Sequence, residues 1–537
     1  MRRGFHRFQD GAPDAQRFLS LLTCFAALAA LALVGCQQPS APSSDTFWIT
    51  NVRLIDGTGA PVRRADVHVA GGRIAAVGDF TIKAHEKVVD GGGLVLAPGF
   101  IDTHSHADFH LTEEPDMLVA ASQGITTVVI GQDGSSSFPL SEMFAALTAQ
   151  TTPLNIASYS GHGTLRSKIL GTDFKRPATE EEVAAMAALL QQDMDAGSLG
   201  LGTGLEYVPG LYSETSEVIA LARVASDAGG RYASHVRSED RRFWEAVEET
   251  LEIGREAGIP VHISHLKLAM RSNWGQADRL LTYLDQARAD GIDVTADVYP
   301  YTRWQSSMTI LFPEQNFNDI EEAMLVTREV ASPEQIMIPL YEPDPEVAGK
   351  TLAQVAAIRG RDAATVLVEL VNEIQVYGKT TGKQDFESII AESMTEADVL
   401  RILQWPHVSI CTDGFLRPGH PRASGTFPRV LNFAHEHGLF SLEEAVRRMT
   451  SQAAANVGLE GRGTVTVGQA ADLVLFDPER VRDRSTFQEP ATLSEGIGKV
   501  WVNGVVVFDG RESTGARPGQ VLRRATRKTA SRQERKL

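Results

Sequence analysis

The chain has 537 residues, of which 43% are hydrophobic, and a formal net charge of −17. That is ample apolar material for a large core, which excludes a mainly disordered chain, and the acidic balance argues against nucleic acid or an anionic lipid surface as the main partner. The three cysteines, Cys24, Cys36 and Cys411, are too few for a disulfide framework.

In chain order, Arg2, Arg3, Arg7 and Arg17 precede an apolar run over 18–34 that closes in Leu33-Val34-Gly35-Cys36. A basic start, an apolar middle and small residues before a cut form an export signal over 1–35. The run is at the short end of what spans a bilayer, so a plain membrane anchor is the weaker reading. Its last four residues resemble the lipobox of bacterial lipoproteins, with Cys36 as lipid anchor and mature N-terminus. Residues 36–46, rich in Ser, Pro and Gln, read as a polar tether.

Short alternating strands with turn glycines follow over 47–97, as in "WITNVRLIDGTG", and the same pattern returns over 460–522 in "KVWVNGVVVFDG". The two ends are expected to pair into one small β-sandwich domain. Between them, 98–459 alternates strand and helix, with candidate strands at 94–106, 126–131, 154–160, 199–203, 231–237, 261–267, 294–300 and 408–413. Helical runs such as 180–196 after Thr179, 214–228, and 243–257 before Gly258 separate them. This is an α/β chain, and eight such units predict a (β/α)8 TIM barrel with its site at the C-terminal strand ends. The stretch 302–405, between strands seven and eight, is far too long for an ordinary loop, and its helical patterns at 352–358 and 363–374 predict an inserted subdomain able to act as a lid. The tail 523–537 carries seven cations and only Glu534, and reads as a solvated disordered end.

The strand ends sort the histidines. His104 and His106 close the first barrel strand in "FIDTHSHAD", two apart and so on one face. His235 ends the fifth strand, His265 the sixth, and Asp413 the eighth. Imidazole and carboxylate are the ligands a zinc-like divalent ion takes. In such a centre Asp413 is the candidate general base, taking a proton from water and passing it to a leaving nitrogen. His162 in "GHGTLR" either lines the pocket or is structural.

This constellation resembles the amidohydrolase superfamily, and more closely its D-aminoacylases (N-acyl-D-amino-acid deacylases). The strings that carry the closer resemblance are "APGFIDTHSHAD", "GHGTLR", "GLGTGLEYVPG", "SHVRSE", "ISHLK", "DVYPY", "HPRASGTFPRVL" and "ADLVLFDP", spread over nearly the whole mature chain. The resemblance implies one or two zinc ions and hydrolysis of the amide of a small N-acyl-D-amino acid. It places Lys267 and Arg422 at substrate-carboxylate positions, with Tyr207 and Tyr299 as weaker candidates. A dipeptidase or cyclic amidase on the same metal centre, or a non-catalytic substrate-binding lipoprotein, are the alternatives. One departure stands out. The family usually has a cysteine ligand in a G-N-C-G string after strand two, whereas this chain reads Gly131-Gln132-Asp133-Gly134. Asp133 either bridges two ions, binds one, marks an impaired site, or is a simple turn residue. After Tyr301, Thr302-Arg303-Trp304-Gln305 replaces the small residues usual in the family. Oligomeric state has no signature in the sequence.

Overall fold

The strand Ile125–Ile130 is ITTVVI, rich in β-branched side chains and buried throughout, as a parallel strand covered on both faces requires. In the computed structural model, which describes residues 46–383 and 385–525, it pairs in parallel with Phe100–Asp102 on one side and Asn155–Ser158 on the other. Ser160–Gly161 carries the pairing on to Gly200–Gly204, Arg231–His235, Val261–Ile263, Val294–Val298 and Val408–Ile410, all parallel. A parallel bridge between Ser105 and Gly414, with the Asp413 N–H donating to the His104 carbonyl at 2.9 Å, joins the first strand to the last. These are the eight strands of a TIM barrel. The export segment, Cys36 and all but the ends of the tether and tail lie outside the described residues.

Several strands differ from their expected bounds. The run 94–106 is two strands: Val95–Pro98 belongs to the terminal sheet and Phe100–Asp102 to the barrel. The chain crosses between sheets at Gly99, where a Cβ would lie 2.1 Å from the Thr126 side chain. The run 154–160 divides around Tyr159 because its first half bonds the second strand and its second half the fourth. The sixth strand ends at Ile263 rather than 267, because His265 turns the backbone left-handed.

Helix Glu180–Ala196 begins at a capping box in which the Thr179 hydroxyl accepts from the Glu182 N–H, and it ends on Gly197 at φ 106°. Helix Phe243–Ala257 ends on Gly258, as its pattern predicts.

Between strands seven and eight stands an antiparallel sheet of four strands, Arg303–Ser306, Glu387–Glu392, Ile336–Tyr341 and Lys350–Thr351 in spatial order. Helices Leu352–Arg359 and Ala363–Thr381 accompany it. Helix Glu396–Leu403 lies instead against the barrel helix Ala277–Ala289, with Arg401 paired to Asp278 at 2.6 Å, so the insertion stops short of residue 405.

The chain ends meet in one hydrogen-bonded sheet. Leu473–Phe476 pairs antiparallel with Val95–Pro98, placing the C-terminal strands beside Phe47–Leu54 and Arg63–Ala70. Ile49, Val67, Leu96, Leu473 and Trp501 fill its core. Among the described residues no helix is long and apolar enough to cross a membrane.

Candidate metal centre

Six ligand-type side chains converge at the C-terminal ends of the barrel strands. His104 and His106 follow the first strand, Asp133 the second, His265 the sixth and Asp413 the eighth, while His235 is the last residue of the fifth. His104 Nε2 lies 3.4 Å from Asp133 Oδ1 and 3.6 Å from Asp413 Oδ1. His106 Nε2 lies 3.4 Å from Asp133 Oδ2 and 3.2 Å from Asp413 Oδ1. His265 Nε2 is 3.5 Å and His235 Nδ1 4.0 Å from Asp133 Oδ1. Asp133 therefore turns its two oxygens to different histidines.

Three of these residues sit in the left-handed region: Asp133 at φ 52°, His265 at 36° and Asp413 at 47°. Each such conformation costs on the order of 1–3 kcal/mol in a residue with a side chain and persists only where its surroundings hold it. The Asp297 carboxylate accepts from the His265 N–H at 2.5 Å and is itself fixed by His262 and Thr103, both at 2.9 Å. Asp102 accepts from the Thr412 N–H at 2.8 Å, beside Asp413. The Asp133 turn is held by close backbone approach: a Cβ on Gly204 would lie 2.2 Å from the Asp133 carbonyl oxygen.

The donor set fits a divalent ion. His104 Nε2 and Asp133 Oδ1 are buried with no hydrogen-bond partner, an arrangement that is costly unless something binds them. One ligand atom from each of His104, Asp133, His265 and Asp413 falls within 4.8 Å of the others, and His235, Glu239 and His265 form a second such group. Imidazole nitrogen and carboxylate oxygen suit zinc. Burial opposes charge on His106 and His265, yet the facing carboxylates outweigh it and hold His106 at about 10 and His265 at about 9. Burial lowers His104. Asp413 lies below its usual range because Arg422 and the histidines overcome the effect of burial.

Two carboxylates that the sequence reading did not single out orient this set. Glu206 Oε2 bonds His235 Nε2 at 2.8 Å, leaving Nδ1 to face Asp133, and burial pushes Glu206 up to about 7. Glu239 lies 3.0 Å from His265 Nδ1 and accepts from Lys267 Nζ at 2.5 Å. Such outer partners fix imidazole tautomer and ring direction. Both stand in quoted strings, "GLEYVPG" and "SHVRSE", just past barrel strands, and that position was the available signal.

The candidate substrate residues lie around the same point. Lys267 and Arg422 are both buried and lie 5.6 and 4.7 Å from the Tyr299 ring, and Arg422 Nη1 is 2.8 Å from Asp413 Oδ2. Lys267 is beyond the sixth strand, so it reaches the site from a loop rather than from the strand face shared with His265. The Tyr207 ring lies 4.5 Å from that of His235, tilted to it by 49°. His162 is set apart, bonded to Glu217 at 2.8 Å in a buried cluster with Arg166. A cavity of about 1130 Å³ opens over the centre, floored by His106, Asp133, His235 and Asp413 and walled by Trp304, Leu340 and Phe386 of the insertion.

A model of the amidohydrolase family matches residues 87–333 and 345–508. The D-aminoacylase of Alcaligenes xylosoxydans xylosoxydans is 40% identical over 498 residues, 88% of this chain and 96% of that one. The chain belongs to the D-aminoacylase branch of the amidohydrolase family. The N-acyl-D-glutamate deacylase of the same organism is 37% identical, covering 88% of this chain and 95% of its own. A crystal structure of a D-aminoacylase superposes with a TM-score of 0.79 at 37% identity, over 89% of this chain and 99% of that one. The N-acyl-D-glutamate deacylase of Bordetella bronchiseptica, solved with zinc and a phosphonate mimic of the reaction's tetrahedral intermediate, gives a TM-score of 0.79 at 38% identity, over 89% of this chain and 99% of that one. A binuclear metal centre is described for D-aminoacylase, and the two ligand groups found here provide donors for such a centre.

Proposed function

We propose that this chain hydrolyses the amide bond of N-acyl-D-amino acids to a carboxylate and a free D-amino acid. The observation that carries the reading is the meeting of His106, Asp133, His235, His265 and Asp413 on the floor of one cavity, with His104 buried against Asp133 and Asp413 beneath them. These residues would hold zinc, which when bound polarises an amide carbonyl and acidifies water.

The chain's own groups supply the rest. Asp413 presents Oδ1 toward His104 and His106, while Arg422 holds Oδ2, so the carboxylate is ionised and aimed at the centre. It takes a proton from the attacking water through Oδ1 and delivers it to the leaving nitrogen, which departs as the free amine. Lys267 and Arg422 form a buried cationic face over Tyr299 for the substrate carboxylate, and Arg422 can meet it with two parallel N–H donors. Tyr207 flanks His235 on the cavity wall. Purified protein is expected to turn over N-acyl-D- but not N-acyl-L-amino acids, to lose the activity to a chelator and to regain it with zinc. Equal turnover of the L series, or none of either by the zinc-loaded protein, overturns the reading.

We also propose that the chain is exported and held at a membrane by lipid on Cys36, with the enzyme facing the periplasm or the cell exterior. The basic start, the apolar run and Leu33-Val34-Gly35-Cys36 support this. Labelling with an alkyne fatty acid is expected to mark the wild type and not Cys36→Ser. Equal labelling of both removes the anchor.

A further inference from the structure

Between its strands Leu473–Phe476 and Ile497–Val502 the terminal sheet sends out a long loop, 477–496, and Phe487, Gln488 and Pro490 of that loop line the cavity. The loop is pinned to one place, the start of helix Arg422–His437. The Ser424 hydroxyl donates to the Pro490 carbonyl at 2.6 Å, and the Ser494 hydroxyl donates to the Ser424 carbonyl at 2.8 Å. Ser485 Oγ lies 3.0 Å from the Pro421 carbonyl oxygen and 2.6 Å from Asp483 Oδ1.

Asp483 is the centre of this contact. Its Oδ1 accepts from the Ser485 N–H at 2.8 Å, its Oδ2 accepts from the Tyr301 hydroxyl at 2.8 Å, and Arg429 Nη1 of the same helix lies 3.7 Å from Oδ2. Burial and the Asp483 charge push Tyr301 well above its usual range, so the phenol stays a donor. The carboxylate lies over the first turn of the helix, an end that favours negative charge. A Cβ on Gly425 would come within 2.1 Å of Oδ1, so the approach depends on that glycine. What the brace holds is Arg422, the first residue of the helix, buried, with Nη1 at 2.8 Å from Asp413 and its guanidinium 4.7 Å from the Tyr299 ring. The carbonyl just before it, that of Pro421, is the one that Ser485 and Tyr301 approach, at 3.0 and 3.4 Å. Two parallel N–H donors meet a carboxylate only when the guanidinium plane is set correctly, and a shift of about 1 Å in a site can cost on the order of 10²-fold.

We propose that Asp483 is a positioning residue: from the loop of the terminal sheet it fixes Pro421 and Arg422, and so aims the Arg422 guanidinium at the substrate carboxylate. The inference rests on the deacylase reading above. D-leucine and D-leucinamide, used as competitive inhibitors of N-acetyl-D-leucine hydrolysis by zinc-loaded protein, differ only in whether a carboxylate is present. Asp483→Ala is expected to weaken inhibition by D-leucine about tenfold or more and by D-leucinamide less than about threefold, and to raise KM more than it lowers kcat. Ser485→Ala, a milder change, is expected to shift the same inhibitor ratio about threefold. Because Asp483 acts through Arg422, Asp483→Ala is expected to add less than about a twofold loss in kcat/KM to that of Arg422→Lys, the non-additivity of residues that work as one unit. Equal weakening of both inhibitors, wild-type ratios in Asp483→Ala and Ser485→Ala, or additive losses in the double variant overturn the inference and leave the deacylase reading standing. No turnover of any N-acyl-D-amino acid by the zinc-loaded wild type removes that reading, and the inference with it.

Discussion

Asp413→Asn is expected to lower kcat by about 10²–10⁴-fold, the range that a positioned proton-transfer group contributes. The substitution keeps the shape of the side chain and an oxygen toward His104 and His106, but an amide cannot take up the proton. It also removes the charge that faces Arg422, a pair buried at 2.8 Å, so part of the loss reflects an uncompensated guanidinium. Steady-state kinetics together with metal analysis separate the effects. A low kcat with the metal complement of the wild type assigns the loss to proton transfer. A rate near that of the wild type removes Asp413 from that role.

Asp133→Ala is expected to strip metal from the centre and to lower its metal affinity by on the order of a hundredfold or more, since even residues that only orient ligands are worth 10–100-fold. Both Asp133 oxygens vanish at once, and with them the shared neighbour of His104, His106, His235 and His265. Asp413 then remains as the shared carboxylate of His104 and His106 alone, and protonation of the imidazoles competes with metal uptake. Asp133→Cys, which restores the ligand usual in the family, is expected to recover most of the bound metal. Plasma mass spectrometry of the purified variants reads the outcome. A full metal complement and normal kcat in Asp133→Ala would reduce this residue to a turn former.

The candidate centre was legible because its groups occupy sequence positions with meaning of their own: each ligand-type residue stands at or just past a barrel strand, and the β-branched, fully buried strands declare themselves locally. Helix Glu180–Ala196 was legible for the same reason, its cap being four residues long. The inserted sheet was not. Ile336–Tyr341 and Glu387–Glu392 form it together, but they are separated by helices whose periodicity dominates the stretch, and pairing at that distance leaves no local trace. The roles of Glu206 and Glu239 are hidden for a related reason, because an acidic residue in a loop is usually solvated and only the closed barrel brings these two against His235 and His265. The sixth and eighth strands stop short of residues 267 and 413, because His265 and Asp413 turn the backbone left-handed, a conformation that hydrophobic alternation does not reveal. The pairing of both chain ends was foreseeable from their matching patterns, but its register, Leu473 opposite Pro98, was not.

That register ties the order of synthesis to the assembly of the centre. Val95–Pro98 leads through Gly99 directly into the strand that presents His104 and His106, and its outer edge is covered by Leu473–Phe476, far along the chain. Until the last hundred residues exist, the N-terminal strands carry an open, hydrogen-bond-hungry margin prone to pair with neighbours. The barrel can therefore collect its strands as they emerge, but the entry to its first strand is sealed only when the chain is nearly finished. Such long-range closure raises the contact order and slows folding. It couples a competent hydrolytic centre to possession of an intact C-terminal sheet.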